Sequence, residues 1–283
     1  MGVCNVTPDS FSDGGAAFAE ADACAVIDRL VAEGADVIDI GGESTRPGAA
    51  TVSDDEQLRR VLPAVRYACA RSAVVSIDTQ SPAVAEACLA AGAHVVNDVS
   101  CLRDHDLASV VARTGAAYVL MHARGKQEDM RGFGGVPNDA YGDVVADVLT
   151  EWRAAASVAT SLGVDARGIV FDPGLGFAKN AVHSATLLAR VDELVRGAGH
   201  PVLVGASRKS FLTLADKGAA PLERVGASVA AALAAVAKGA TLLRVHDVRA
   251  TRQALDLGRR LATLQVPNDS TATARSLTGR ELS

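Results

Sequence analysis

Eight short apolar runs, each followed by a helical pattern, constrain this 283-residue chain more than any other feature. The runs fall at residues 2–5, 36–40, 74–78, 94–98, 117–121, 169–172, 202–204 and 242–245. Each is rich in Val and Ile and reads as apolar on both faces, the pattern of strands in a buried parallel sheet. Between the runs the spacing turns helical. Leu58, Val61, Leu62, Val65, Ala68 and Cys69 form one stripe, and Val26, Ile27, Leu30 and Val31 form another. Val144, Val145, Val148 and Leu149 mark a fifth helix. Ser53 and Glu56 have capping-box spacing, and Ser81-Pro82 places a cap and an N1 proline before the next helix. Eight strands alternating with eight helices predict an α/β fold, a (β/α)8 barrel. The rival is an open doubly wound sheet, and eight near-equal units favour closure.

At 49% hydrophobic and 22% charged residues the chain is not a disordered one. Aromatics are only 4%, so the core has to be aliphatic. The reading is a single barrel domain over residues 1–265. The polar segment 266–283 has no stripe and is expected to be a disordered tail. The first strand begins at residue 2, so an N-terminal hairpin sealing the barrel base is expected to be absent. With a net charge of -5 and scattered Lys and Arg, the chain is not expected to bind nucleic acid. The longest uncharged apolar run, residues 225–237, falls short of the about 20 residues of a membrane span. No charged leader precedes an apolar block at the N-terminus. The five cysteines form no Cys-x-x-Cys pair and read as reduced thiols. These features point to a cytoplasmic protein with no membrane partner.

In such a barrel the reactive side chains gather at the C-terminal ends of the strands. Asp78, Asn97 and Asp172 stand at three of those ends. Singly, each would more often cap the following helix. Together they converge on one mouth, and buried carboxylates and an amide need hydrogen-bond donors there. The aminopyrimidine edge of a nitrogen heterocycle supplies such donors. Loops 7 and 8 bring Arg208, Lys209, Arg244 and His246, with Ser207 and Ser210 at a helix start, which suits an anion. Arg208 and Lys209 are adjacent, so one of the two can point outward, whereas Arg244 and His246 share a strand face. Gly174-Leu-Gly176 is half of a dinucleotide fingerprint and weak alone. It reads as a tight turn bringing Phe177 or Lys179 to the pocket. The histidines have no zinc spacing, and His94, His105, His183 and His200 read as surface or packing residues. Mg²⁺ held by Asn5 and substrate phosphates is compatible with the pattern.

Taken in order, the motifs resemble those of bacterial dihydropteroate synthases. They are Asn-Val-Thr-Pro-Asp-Ser-Phe-Ser-Asp-Gly-Gly from Asn5, Gly-Glu-Ser-Thr-Arg-Pro-Gly from Gly42, Ser-Ile-Asp-Thr from Ser76, Asn97-Asp98 and Met121-His122. Asp-Pro-Gly-Leu-Gly-Phe from Asp172, Ser-Arg-Lys-Ser from Ser207 and Arg-Val-His-Asp from Arg244 complete the set. The resemblance implies a TIM barrel, a Mg²⁺-dependent homodimer and a transferase of folate biosynthesis. It would join 6-hydroxymethyl-7,8-dihydropterin diphosphate to p-aminobenzoate, giving 7,8-dihydropteroate and pyrophosphate, with the carbon–oxygen bond breaking before the amine attacks. It further implies that Asp78, Asn97, Asp172 and Lys209 hold the pterin, with Arg244 over its face and Met121 packing nearby. Asn5 would bind Mg²⁺, and Asn5, Arg244 and His246 the diphosphate. Thr45, Arg46, Pro47, Phe177 and Ser210 would form the p-aminobenzoate pocket. Asp78, Lys209, Arg244 and His246 are the expected catalytic residues.

Two alternatives share the fold. A pterin-dependent corrinoid methyltransferase would keep the Asp, Asn and Asp contacts but would not need the cations of loops 7 and 8. A non-catalytic pterin-binding paralogue would be expected to have lost loop residues that this chain retains. Members of the synthase family usually have residues before this first strand and Leu or Ile where this chain has Cys4. Sulfonamides mimic p-aminobenzoate in the family, and resistant members carry a Phe-Gly insertion after the Arg-Pro of loop 2. Here Arg46-Pro47 runs straight into Gly48-Ala49, which implies a sulfonamide-sensitive enzyme.

Overall fold

The computed structural model describes residues 1–7, 16–43, 52–125 and 135–264, the side chains of 16–19 excepted. Strands β1 (Gly2–Asn5), β2 (Val37–Gly41), β3 (Val74–Asp78), β4 (Val95–Asp98), β5 (Ala117–Met121) and β6 (Ile169–Asp172) pair in parallel, in chain order. β7 (Leu203–Val204) and β8 (Leu242–Leu243) pair with each other. Two bridges join the sheets, Phe171 to Val202 and Gly2 to Val245. Across the second, Val3 N donates to Val245 O (3.0 Å) and Val245 N to Met1 O (2.9 Å). The strands therefore close on themselves as the predicted barrel, and the open sheet is not what forms.

Among the described residues the helices are α1 (Ala16–Ala32), α2 (Asp54–Ala70), α3 (Pro82–Ala90), α4 (His105–Thr114), α5 (Val144–Ser161), α6 (Ala181–Ala189), α7 (Val191–Ala198), α8 (Val225–Ala237) and α9 (Val248–Leu264). That is one more than predicted. The sixth unit breaks at Arg190, whose backbone (φ -114°, ψ 30°) ends α6 and opens α7. Its guanidinium is held at the break by Glu193 (2.7 Å) and Asp143 (2.9 Å).

Caps follow the residue chemistry. Ser81 accepts from Val84 N with Pro82 at N1. Ser53 caps α2 by accepting from Glu56 N, but the Glu56 carboxylate binds Arg59 and Arg60 rather than completing the expected box. In α1 the stripe is Ala23, Ile27 and Leu30, all buried, whereas Val31 is exposed and stands outside it.

The core lies between the strands' outer faces and the helices. Ile27, Leu30, Ile38, Ile40, Val61, Val65, Val75, Ile77 and Val84 are all fully buried there. Each such aliphatic side chain contributes about 1.5–3 kcal/mol. Trp152 stacks on Phe171 with ring centroids 4.5 Å apart and donates to Leu120 O (2.9 Å). Asp98 belongs to this outer layer as well. It accepts from Leu102 N (2.9 Å) and the Tyr118 hydroxyl (2.7 Å), which fixes the turn after β4 and keeps it apart from its neighbour Asn97. The expected disordered tail, 266–283, lies outside the described residues.

Candidate active site

Register sets the candidate residues in one layer at the barrel mouth. Asn5 pairs across to Gly41, Gly41 to Asp78 and Asp78 to Asn97, while Met121 pairs with Asp172. Alternate residues of a strand share a face. Asp39 and Gly41 on β2, and Ser76 and Asp78 on β3, therefore point inward together. The inner face of these two strands is polar, which corrects the reading of both as apolar on both sides.

That polar face exists to hold Arg244. Its Nε donates to Asp39 Oδ2 (2.6 Å) and its Nη2 to Asp78 Oδ2 (2.7 Å). Asp39 is fully buried and also accepts from Ser76 Oγ (2.6 Å) and Asn97 Nδ2 (3.2 Å). Asp39 is a site residue that the motif reading passed over. Its signal was an acid inside an apolar run, two residues before a strand-end glycine. Burial works to lower the guanidinium pKa, but Asp39 and Asp78 hold it above the ordinary value.

Two acceptors in this cluster have no partner among the described residues. Asp78 Oδ1 and Asn97 Oδ1 are buried, on register-paired residues, and accept nothing. Burial pushes the Asp78 carboxyl up to about 7, opposed by Arg244 and reinforced by Asp39. Across the mouth Asp172 is buried, accepts from Gly174 N (2.7 Å), and has its pKa raised by burial. Gly174 is obligatory. Its φ is +65°, and a Cβ there would meet His122 O at 2.0 Å and the Met121 side chain at 3.2 Å.

Lys209 sits beside this group. Its Nζ donates to Leu175 O and stands 4.8 Å over the Phe177 ring. Burial lowers its pKa to about 8, with Asp172 opposing. Gly205 leaves the room between the cations: a Cβ there would lie 3.7 Å from Arg244 Cβ and 3.9 Å from Lys209 Nζ. Gly41 does the same between Asn5 and Asp78.

The expected cluster of free cations is not formed. Arg208 pairs with Asp247 (Nε to Oδ2, 2.9 Å) at a φ of +60°. Burial, then Arg244 and Arg208, lower His246 to about 4, so near neutrality it acts as a neutral hydrogen-bonding group, held by Ser207 Oγ (3.2 Å). Ser210 is exposed and opens only a five-residue 3-10 helix, Ser210–Leu214, so it adds little dipole. Asn5 is half-buried and its amide has no side-chain partner among the described residues. Thr45, Arg46 and Pro47 lie outside the described residues.

Residues 1–246 match the family model described as pterin binding enzyme. The dihydropteroate synthase of Mycobacterium leprae is 45% identical over 264 residues, covering 90% of each chain. The chain belongs to the dihydropteroate synthase family. The solved dihydropteroate synthase of Xanthomonas albilineans with 4-aminobenzoic acid is 43% identical, superposes with a TM-score of 0.85, and is matched over 94% of this chain and 93% of its own. That of Yersinia pestis, in a sulfonamide drug complex, is 38% identical with a TM-score of 0.85, over 93% and 94%. Within a dihydropteroate synthase the orphaned acceptors and the paired arginine acquire a purpose.

Proposed function

We propose that this chain joins 6-hydroxymethyl-7,8-dihydropterin diphosphate to p-aminobenzoate, releasing pyrophosphate and forming 7,8-dihydropteroate. The observation that carries the reading is the pair of unpartnered buried acceptors, Asp78 Oδ1 and Asn97 Oδ1, facing the barrel mouth with Asp172. Buried acceptors without donors are costly, at about 1–3 kcal/mol each. A pterin brings amino and ring N–H groups that would satisfy them. Arg244, fixed by two carboxylates, offers its planar guanidinium to the face of a flat ring. Met121 packs beneath the Gly174 turn. Phe177 and Lys209 wall the side where p-aminobenzoate would enter, with Ser210 next in the chain.

Loss of pyrophosphate leaves electron deficiency at the pterin methylene. Asp78, held by Arg244 Nη2 (2.7 Å), stabilises that charge once ionised. The aromatic amine needs no strong base to attack. His246, held neutral, donates a hydrogen bond to the leaving group instead of a charge. Asn5 contributes a neutral amide oxygen across Gly41 from Asp78, a hard donor that suits Mg²⁺, which keeps most of its waters. A Mg²⁺ ion entering with the diphosphate would be held by Asn5 and phosphate oxygens, and supplies positive charge against the departing pyrophosphate.

The assembly is a homodimer in this reading. Leu257, Leu261 and Leu264 form an exposed apolar stripe along α9, and Leu233 and Val236 are exposed on α8. The five cysteines are free thiols, which suits the cytoplasm. Among the described residues no helix is long and apolar enough to cross a membrane.

Pyrophosphate release, followed with the pterin diphosphate in the presence and absence of p-aminobenzoate, tests the reaction. Release that requires p-aminobenzoate and yields dihydropteroate is expected. No release, or release indifferent to the amine, would overturn it.

A further inference from the structure

Behind the barrel mouth lies a fully buried lysine for which the reaction above has no use. Lys179 follows the turn that carries Asp172, Leu175 and Phe177. Its Nζ donates to His122 Nδ1 (2.9 Å), Phe177 O (3.0 Å) and, at longer range, His122 O (3.4 Å). These three acceptors use all three N–H groups of an ammonium. With Nδ1 accepting, His122 carries its proton on Nε2 and donates to Glu151 Oε2 (3.0 Å) on α5. Arg124 grips the same carboxylate (2.9 Å) and covers the Tyr141 ring at 3.8 Å. Tyr141 in turn donates its hydroxyl to Ala178 O (3.0 Å).

The turn is thus tied through Lys179 to the residue after β5 and, by way of Glu151, to α5, and at Ala178 to Tyr141 just before α5. Ala178 sits at φ +49°, a left-handed conformation that a residue with a Cβ adopts only when its surroundings impose it. A site that needed only filling would take Leu or Met without burying a charge. What the ammonium adds is direction: it fixes the carbonyl of Phe177, and so the height of the ring. Lys209 Nζ rests on that ring and on Leu175 O of the same turn. The charged and titratable groups around Lys179 are His122, Asp172, Lys209, Cys101, Arg124 and Glu151. None lies closer to it than His122.

The geometry points to Lys179 as a positioning residue that, through Phe177 and Leu175, sets the p-aminobenzoate side of the site while touching no substrate. This rests on the reading of Phe177 as part of the p-aminobenzoate pocket. The staple touches neither Asp78 nor Asn97, and of the pterin residues it reaches only Asp172, through charge and not through a hydrogen bond, so the pterin subsite should feel it much less.

The test compares Lys179→Met, Phe177→Leu and the double variant in the pyrophosphate-release assay, with melting temperatures alongside. Lys179→Met is expected to raise KM for p-aminobenzoate by about tenfold or more, the effect of about 1.4 kcal/mol. KM for the pterin diphosphate should stay within about twofold, and the double variant should be little worse than either single one, since two residues acting through one contact are not additive. Equal rises in both KM values, additive effects in the double variant, or an unchanged KM would overturn the proposal. Should Lys179→Met fail to fold, Tyr141→Phe removes a tether one residue away. It should raise KM for p-aminobenzoate selectively, and an unchanged value would count against the staple. A Phe177→Leu variant with unaltered p-aminobenzoate KM would remove the pocket reading itself, whereas a raised KM there with none in Lys179→Met removes only the staple.

Discussion

Asp39 governs the electrostatics of the site, and replacing it separates hydrogen bonding from charge. One oxygen, Oδ2, takes Arg244 Nε (2.6 Å) and Asn97 Nδ2 (3.2 Å), and the other takes Ser76 Oγ (2.6 Å). In Asp39→Asn the amide oxygen can keep the Oδ2 place and both its donors. The new NH2 group then faces Ser76 Oγ, a hydroxyl that can rotate to accept. The loss is a charged bond turned neutral, about 1–2 kcal/mol. Asp39→Ala removes all three bonds and leaves buried Arg244 with Asp78 alone. Breaking a buried ion pair from one side costs about 3–5 kcal/mol. At roughly 2–4 °C per kcal/mol for a chain of this size, the alanine variant should melt roughly 6–20 °C lower, with the asparagine variant between it and wild type. Either change also removes a like charge from beside Asp78, so the Asp78 pKa should fall from about 7. Calorimetric melting supplies the first measurement and carboxyl NMR titration the second. An alanine variant with wild-type melting and an unmoved Asp78 would refute the account of Arg244 as an arginine fixed by two acids.

Four further outcomes are expected. Asp172→Asn should weaken pterin binding by about 2 kcal/mol or more in titration calorimetry, because a donor replaces an acceptor in a buried site; unchanged affinity would move the pterin elsewhere. A chelator should abolish turnover yet leave the melting temperature of the free protein unchanged, and a large fall in melting temperature would contradict a metal that arrives with substrate. His122 has its pKa lowered to about 4 by burial and Lys179, against about 6.5 when unfolded, so its contribution to stability is full above that value and is lost as pH falls toward 4. The advantage of wild type over His122→Gln in urea midpoint should therefore shrink between pH 7 and 5, and a constant advantage would count against it. Sulfonamides should inhibit competitively with p-aminobenzoate, and inserting Phe-Gly after Pro47 should weaken the drug far more than the substrate; full activity of the unaltered enzyme under excess drug would send attention to other loops.

Much of the barrel is legible in the sequence because buried parallel strands and amphipathic helices leave local periodic marks. The misreadings have local causes too. The stretch between the sixth and seventh runs reads as one helix since nothing in the composition announces the break at Arg190; its partners there include Asp143, from a distant part of the chain. Asp39 was hidden between Ile38 and Ile40, whose outward faces made the run look apolar throughout. Reading β2 and β3 with a period of two separates Asp39 and Gly41, Ser76 and Asp78, from their apolar neighbours. The pairing of Arg244 with Asp39 spans 205 residues. No spacing rule in a single sequence finds such a contact, so Arg208, Lys209, Arg244 and His246 read as an anion-binding set in which only one of the first two can be expected to point away. Only three-dimensional closure shows which of them are already neutralised.

That neutralisation bears on how the two halves of the substrate are held. Inside the mouth, Asp39, Asp78 and Asp172 face Arg244 and Lys209, so acceptors outnumber cations on the pterin side. On the diphosphate side Arg208 is matched by Asp247, and His246 is held neutral by burial and by two neighbouring arginines. A diphosphate approaching Arg244 must share it with two carboxylates that already hold it. The attraction that remains is directional hydrogen bonding, worth much less than an unshared charge. An arrangement of this kind suits a substrate that brings its own counter-cation, with Asn5 offering a neutral oxygen that adds no further negative charge to the layer. It would also suit release, since pyrophosphate departing with such a cation would leave Arg244 on the two acids that fix it.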